Sequence, residues 1–470
     1  MHVGIVGAGW AGLACAVQLA RAGIPFTLFE AGRQAGGRAR SVGLDGQVLD
    51  NGQHLLLGAY RTLLQLMRQV DVEPDTVLWR VPFDLQAVQA ASGREAFRLT
   101  LPRWPAPLHV LAGLLRARGL SGGEKFALLR AMAGLQWQGY RLPADCSVQD
   151  WLRQTCQPEI LCQQLWAPLC LAALNTPVQH ASAQIFAHVL RDSLGNWQRG
   201  ATDFLLPRLP LGEIFPQPAL VWLQRQPGVT IRLSHRVKTI TWTDQSAEAA
   251  TNGAWQLAGL CGHQPFRETF SHVVLATAPQ HLSALLAGLT GDLPPATGRP
   301  LMQCQHVLAA YQYEPIATVY LDYARPLPLP APLLHLNIGM GQWLVHRGAI
   351  EPPAGHSGQP GQVACVQSGR GDWMRLDNAG LCEHLHQAIA QACRQPDLPR
   401  PHGQRVIREQ RATFSCRPDL PRLPMQPLPG VPGLLLAGDH VWADYPATLE
   451  GAVRSGCQAA AVLSGQPVAA

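Results

Sequence analysis

Val3-Gly4-Ile5-Val6 is followed by Gly7-Ala8-Gly9-Trp10-Ala11-Gly12, the helical stretch Leu13–Ala22, and Phe26-Thr27-Leu28-Phe29-Glu30. An apolar run, a glycine turn, a helix, a second apolar run and a terminal acid spell a dinucleotide-binding βαβ unit. Gly7 permits the tight turn out of the strand, Gly9 lets backbone approach a pyrophosphate, and Gly12 lets the helix pack closely on the sheet. The helix start at Trp10 and Ala11 presents free N–H groups and the positive dipole end to the phosphates. Glu30, with Ala31 beside it, can accept both ribose hydroxyls, a charge-assisted contact worth about 1.5–3 kcal/mol.

Several dinucleotides use this unit, so the choice among them lies downstream. There the chain reads Ala31-Gly32-Arg33-Gln34-Ala35-Gly36-Gly37-Arg38-Ala39-Arg40-Ser41. Alone this would be an Arg-rich surface loop. Directly after Glu30, it resembles the GG motif of the FAD-containing amine oxidase and phytoene desaturase superfamily, with Gly37 and Arg38 against the pyrophosphate. The C-terminus resembles the same superfamily: the buried strand Leu434-Leu435-Leu436-Ala437 ends in Gly438-Asp439, and Thr448-Leu449-Glu450-Gly451 opens a helix. The resemblance implies that these two segments close the flavin site. Val229–Ile240 is by pattern an amphipathic strand, and it resembles the strand whose valine backbone meets the adenine, here Val237. The implied fold class is α/β: a Rossmann-type, glutathione reductase-like FAD-binding domain with an inserted α+β substrate domain. No cysteine occupies a recognisable flavinylation motif, so FAD is expected to be non-covalent.

At 470 residues and 47% hydrophobic, the chain is long enough for two or three domains. The expected FAD-binding domain is discontinuous, over 1–80, 205–295 and 405–470, with 81–204 and 296–404 building the substrate domain. Twelve cysteines without a CxxC pair read as reduced thiols of a cytoplasmic protein. The chain begins directly on a strand, so no signal peptide is expected. No apolar run is long enough to span a membrane. The charge of +6 has no concentrated basic run, which argues against nucleic acid and is compatible with an anionic membrane surface. Cys382 and His386 share a helical face without a further ligand nearby, so no metal is expected. Gly339-Met340-Gly341 lacks the third glycine of a second nucleotide turn, and neither GxSxG nor HExxH occurs.

The insertions differ in character. Residues 80–100 alternate as strands do. Leu108, Val110, Leu111, Leu114 and Leu115 give the following helix a broad apolar surface, with Trp104 at its start and Arg103, Arg116, Arg118 and Lys125 at its rim. That pattern fits an interfacial helix and a core helix alike, and on pattern alone the core reading is favoured. Leu161–Thr176, interrupted by Pro168, and Ile185–Leu190 are expected to line a greasy cavity. Strands are expected again at Val307–Tyr313 and Ile316–Asp322.

The most discriminating stretch is Leu49-Asp50-Asn51-Gly52-Gln53-His54-Leu55-Leu56-Leu57-Gly58-Ala59-Tyr60. It resembles the bacterial squalene-associated FAD-dependent desaturases, the hydroxysqualene dehydroxylase group. So do Thr202-Asp203-Phe204-Leu205-Leu206-Pro207-Arg208 and Tyr445-Pro446-Ala447-Thr448, and the resemblance runs nearly end to end. It implies reductive dehydroxylation of hydroxysqualene to squalene in squalene and hopanoid biosynthesis, with acid-assisted loss of the hydroxyl and hydride from reduced flavin N5. His54, Asp203, Asp444 and Tyr445 are the candidate proton donors, and Gln53 and His54 also fall beside the cofactor. Asp203 reads equally as a turn or N-cap residue, and Asp50 as a holder of local backbone. The implied partners are a long isoprenoid substrate, squalene-pathway synthases as functional neighbours, and a peripheral contact near 104–118 with the inner face of the plasma membrane.

Three competitors stand beside this reading. Carotenoid-type desaturases also take long isoprenoids. Amine oxidases of the superfamily usually carry an active-site lysine and an aromatic cage. This chain has only Lys125 and Lys238, and Thr448 at the cage position. A non-enzymatic lipid escort of the GDP-dissociation-inhibitor kind would not need the intact Glu30, Arg38 and Gly438-Asp439 set.

Overall fold

The computed structural model describes residues 1–89, 95–105, 107–243, 253–291, 297–337, 342–354, 356, 359–423, 428, 430–442 and 444–466. Gly339, Met340 and Gly341 lie outside them. Five parallel strands form the central sheet, in the order Val229–Arg232, Phe26–Phe29, Val3–Val6, His272–Leu275 and Leu434–Leu436. Its inner strands are near-continuous apolar runs because both faces are covered. The helices Trp10–Arg21 and Leu449–Ser464 pack with one face in a shared core of Leu13, Val17, Val453 and Cys457. On the other face lies an antiparallel sheet of His235–Thr243, Ala254–Cys261 and Gln264–Phe270, where the Phe29 ring stacks on Phe266 at 5.4 Å.

The two insertions build one body. Their seven-stranded sheet runs Gly403–Phe414, Tyr313–Asp322, Gln362–Ser368, Gln342–Val345, Leu333–Asn337, Asp84–Gln89 and Glu95–Thr100. The parallel pairing of His335 with Ala87 joins the second insertion to the first. Gly403–Phe414 pairs with Tyr313–Asp322 to its end, so this strand stays with the substrate sheet beyond the boundary expected at 405. Alternation divides the sheet's faces. Val319, Leu321 and Val363 pack under the helix Asn378–Ala392, with Leu381, Leu385 and Ile389. Ile316, Thr318, Val366 and Ile407 face the opposite way.

The strand expected at Val307–Tyr313 is instead the end of a helix, Gly298–Ala309. Leu301, Cys304, Val307 and Leu308 are its buried residues, a helical spacing that continues through Val307, and the strand begins only at Tyr313. The apolar run 161–176 passes through a π-helical turn at Cys162–Trp166 into the helix Ala167–Leu174, with Pro168 in its first turn. The helical path is continuous there, and the π turn just before Pro168 accommodates the N–H it lacks. Among the described residues no helix is long and apolar enough to cross a membrane.

Candidate functional site

The glycine turn is built as its sequence requires. Gly7 has a φ of +107°, and a Cβ there would come 2.6 Å from the Ala276 carbonyl oxygen. A Cβ on Gly12 would lie 1.9 Å from the Gly7 carbonyl oxygen, so helix and turn meet only because Gly12 lacks one. The second glycine loop lies against the first: the Gly36 amide donates to the Ala8 carbonyl at 2.9 Å, and Gly9 bridges Gly36. Glu30 accepts the Ala8 amide at 2.9 Å and the Gly32 amide at 2.7 Å, which fixes its carboxylate over both turns. The helix beginning at Trp10 has Gly9 as N-cap, with no capping side chain. Its first amides are therefore left to a ligand.

These turns open on a cavity of about 1500 Å³. Gly7, Gly9, Trp10, Ala11, Glu30, Ala31, Gly37 and Arg38 line it from the N-terminal unit, with Val237, Gly438, Asp439, Thr448 and Leu449 from later segments and Gln53 and His54 from the Asp-Asn-Gly-Gln-His stretch. Its volume exceeds the roughly 300–1,000 Å³ usual for one small ligand. Arg38 donates to both carboxylate oxygens of Asp439, at 2.7 and 2.6 Å, and to the Ala412 carbonyl. Burial pushes the Asp439 carboxyl up, but Arg38 and the His440 ring together hold it well below the usual carboxylate range. Thr448 is the N-cap of the last helix, its Oγ1 accepting the Gly451 amide at 3.1 Å. Val237 sits at a β-bulge, where pairing slips between Val237 and Thr239.

The fit to a dinucleotide rests on one more observation. The Thr277 hydroxyl, on the cavity wall, is buried and has no hydrogen-bond partner among the described residues. A bound polar group is what such an atom lacks. Arg33, Arg40, Arg236 and Lys238 add positive charge to the same wall, and no cysteine is among the described lining residues.

The other end of the cavity carries an apolar patch beside the polar side chains of Thr318, Ser368, Glu409 and Arg411. Ile316, Leu333, Trp343, Val345, Val366 and Ile407 form its floor on the open face of the substrate sheet, with Ala172 and Ala173 from the helix Ala167–Leu174. Ile185–Leu190 contributes nothing to this wall. Between floor and glycine turns lies the Gly52–His54 segment, whose Gln53 amide donates to Thr318 Oγ1 at 3.3 Å. Asp50 anchors it from behind, accepting the Leu211 amide at 2.7 Å, while Tyr320 donates to the Asp50 carbonyl. Arg347 donates to the Gln53 side chain at 2.8 Å and to Gln362, and so ties the segment to the seven-stranded sheet.

His54 is the one expected proton donor that lines the cavity. Its Nδ1 lies 2.8 Å from the Gly52 carbonyl oxygen, which can only accept. Nδ1 therefore carries the hydrogen, and Nε2 is left as an acceptor with no partner among the described residues. Burial disfavours the charged ring and lowers its pKa, against the Gly52 hydrogen bond and the nearby Asp50 carboxylate. A proton-donating role for His54 would run through Nε2.

The remaining expected donors stand off the wall. Asp203 is buried in a turn between Arg103 Nε at 3.0 Å and Arg80 Nη1 at 3.6 Å, and burial outweighs both arginines in raising its pKa. Asp444 is exposed, with its carboxylate 3.7 Å from the His188 ring nitrogen. Tyr445 is buried, but its hydroxyl donates to Asp192 and its ring lies under Arg454 at 4.6 Å. Glu450 and Gly12, expected at the cofactor, also lie behind the wall. Glu450 accepts the Thr62 and Leu63 amides at 3.1 and 3.0 Å, capping the helix Arg61–Gln69. Cys382 and His386 are buried, and His386 bonds Tyr323 at 3.0 Å. Among the described residues no cluster suits a metal.

Sequence reasoning missed the floor, Arg347 and Thr277. The floor residues come from five strands, and alternation in one strand does not tell which face meets a cavity.

The family described as flavin containing amine oxidoreductase matches residues 10–464. A hydroxysqualene dehydroxylase of Rhodopseudomonas palustris is 29% identical, over 97% of this chain and 97% of its own. One from Sinorhizobium fredii is 28% identical, over 98% and 97%. A 15-cis-phytoene desaturase of Synechococcus elongatus is 24% identical, over 97% and 94%. Among solved structures, a putrescine oxidase bound to putrescine superposes with a TM-score of 0.69 at 18% identity, covering 99% of this chain and all of that one. At that identity the likeness speaks for the fold alone.

Proposed function

The chain belongs to the flavin containing amine oxidoreductase family and is an FAD-dependent oxidoreductase, and from that premise we propose that it reduces hydroxysqualene to squalene. One observation carries the reading: a single cavity joins the dinucleotide cradle to an apolar floor, with the acceptor Nε2 of His54 between them. Bound FAD, in its reduced form, supplies the hydride. The overall change replaces a C–OH by a C–H, consumes one hydride and one proton, and releases water.

The protein's own share is binding and orientation. Glu30, the amides at Trp10 and Ala11, and the backbone at Val237 are placed to hold the cofactor. The floor takes the isoprenoid chain, whose burial contributes about 25 cal/mol for each Å² removed from water. His54 Nε2, when neutral, accepts the substrate hydroxyl's hydrogen bond and so aims the C–O bond; when protonated it is the cavity-lining group that gives the departing oxygen the proton the balance requires. A buried acceptor of this kind disfavours a hydrocarbon that lacks the hydroxyl, because Nε2 then loses water without gaining a partner. In this reading the synthases that make the substrate are functional neighbours in squalene and hopanoid biosynthesis, and the protein works at the inner face of the plasma membrane.

Redox direction separates this from the second reading, an isoprenoid desaturase, which the phytoene desaturase relative favours. Enzyme reduced without oxygen and mixed with hydroxysqualene should regain the oxidised flavin spectrum as squalene appears. His54→Phe should keep the flavin and lose this turnover. If reduced enzyme is inert to hydroxysqualene while oxidised enzyme is bleached by squalene or a carotenoid precursor, the desaturase reading replaces this one.

A further inference from the structure

The helix Leu108–Arg116 has one face in the protein and one outside it. His109, Gly113 and Leu114 are buried, and a Cβ on Gly113 would meet the Leu101 side chain at 2.4 Å, so the inner face is pressed home. The outer face carries Leu108, Leu111 and Leu115, spaced three and four apart, with exposures of 53, 41 and 81%. Trp104, just before the helix, is 50% exposed. The next helix, Gly122–Trp137, is tied on by Lys125, which donates to the Leu115 carbonyl at 3.2 Å. Its Phe126 is 66% exposed. The core reading favoured by the pattern therefore holds for the inner face only. Large apolar side chains gathered in water mark an interaction surface.

Charge says what the surface meets. Between residues 103 and 141 the chain carries Arg103, Arg116, Arg118, Lys125, Arg130 and Arg141 against Glu124 alone, in a protein whose whole formal charge is +6. Glu124 accepts the Ser121 amide in a capping box and Arg103 pairs with the buried Asp203, and the segment remains net positive. Leucine and tryptophan in the middle, with arginine and lysine around them, is the make-up of a segment lying at a bilayer interface. With no spanning helix among the described residues, the attachment is peripheral.

We propose that this surface docks on an anionic lipid bilayer, with Trp104, Leu108, Leu111 and Leu115 entering the boundary between headgroups and acyl chains. The argument rests on the surface alone and not on the reaction proposed above, which gives it a purpose: an isoprenoid is drawn from the layer in which it dissolves. The test uses the full-length, flavin-loaded protein and vesicles of phosphatidylcholine with about one third phosphatidylglycerol, read by flotation. Wild type should float with these vesicles, and much less with pure phosphatidylcholine or at 1 M salt, where charges are screened within about 3 Å. Leu115→Asp and the pair Leu111→Asp with Leu115→Asp should weaken binding by at least tenfold while circular dichroism and flavin absorbance stay as in wild type. Leu115 is too exposed for its replacement to unfold the core, so the single variant remains informative if the double one fails to fold. Arg116→Glu should cost about fivefold or more on anionic vesicles alone. Trp197→Ser, an equally exposed apolar residue elsewhere, should change nothing. The proposal is overturned if wild type ignores anionic vesicles, or if folded Leu115→Asp floats like wild type. It is overturned equally if wild type is a micromolar dimer that Leu115→Asp converts to monomer without altering vesicle binding, since the surface would then meet a second copy. Turnover with solubilised substrate is a separate readout, so failure of the docking proposal leaves the reaction assignment standing.

Discussion

The Arg38 guanidinium meets both carboxylate oxygens of Asp439 across 401 residues of sequence. It joins the second glycine loop to the end of the last sheet strand, and both residues line the cavity. Arg38 Nη2 reaches both oxygens while Nη1 holds the Ala412 carbonyl, so the pair, with its acid buried, fixes the spacing of two cavity walls. Because the Asp439 pKa is held below its unfolded value, the pair's stabilisation is present above the ordinary carboxylate range and is lost only as pH falls through the folded value. Asp439→Asn should therefore cost about 3 kcal/mol at pH 7. The gap to wild type should narrow only below about pH 4. Urea unfolding of the flavin-free protein from pH 7 to 3 measures both, and a gap that already closes at pH 6 would contradict the assignment.

Glu30 serves the fold and the cofactor at once. Its oxygens hold the Ala8 and Gly32 amides, and it lines the cavity where the ribose is expected. Glu30→Ala should lower FAD affinity by about 2 kcal/mol, roughly thirtyfold. Flavin retained after dilution and gel filtration gives the answer. Wild-type occupancy in the variant would remove Glu30 from the ribose site.

His335 predicts a pH dependence that has nothing to do with catalysis. It is buried beside Trp343, with ring centroids 5.5 Å apart, and burial alone pulls its pKa down to about 4. Between about pH 6.5 and the folded value, the unfolded chain binds a proton that the folded chain does not, so acidification costs stability in that window. His335→Phe should remove up to about 3 kcal/mol of this loss. Unfolding free energies measured at pH 7, 5.5 and 4.5 should fall less steeply in the variant than in wild type, and parallel curves would refute the prediction.

Trp343 is the largest apolar side chain of the cavity floor. Trp343→Ala should raise KM for the isoprenoid about tenfold or more, from roughly 1.5–3 kcal/mol of lost apolar contact. Flavin content should not change. A variant that loses flavin but keeps KM would mean that the cofactor, not the substrate, rests on this part of the sheet.

Local sequence determined the cofactor end. The glycine turn, Glu30, Gly37-Arg38, Gly438-Asp439 and Thr448 were legible because each stands at a local backbone feature: a positive φ, a missing Cβ, a helix cap, a strand end. Such requirements are written within a few residues of where they operate, and the structure gathers nearly all of them on one cavity. Gly12 and Glu450 fall just behind it because one is a packing contact and the other a helix cap.

The substrate end depended on tertiary structure. Ile316, Leu333, Trp343, Val366 and Ile407 are ordinary strand residues until pairing sets which face of the sheet meets the cavity. The parallel register of His335 with Ala87, nearly 250 residues apart, makes two insertions one domain, and nothing local encodes it. The same holds for the candidate proton donors. Asp203, Asp444 and Tyr445 were chosen by residue type, but their distance from the cavity and their partners Arg103, His188 and Asp192 are set by long-range packing. His54 lines the cavity, and the Gly52 carbonyl, not the sequence, decides that its Nε2 is the ring nitrogen left open. Sequence thus determined what binds at the glycine turns, where chemistry is local. Folding decided what faces it, because a cavity wall is made of neighbours that the chain does not place side by side.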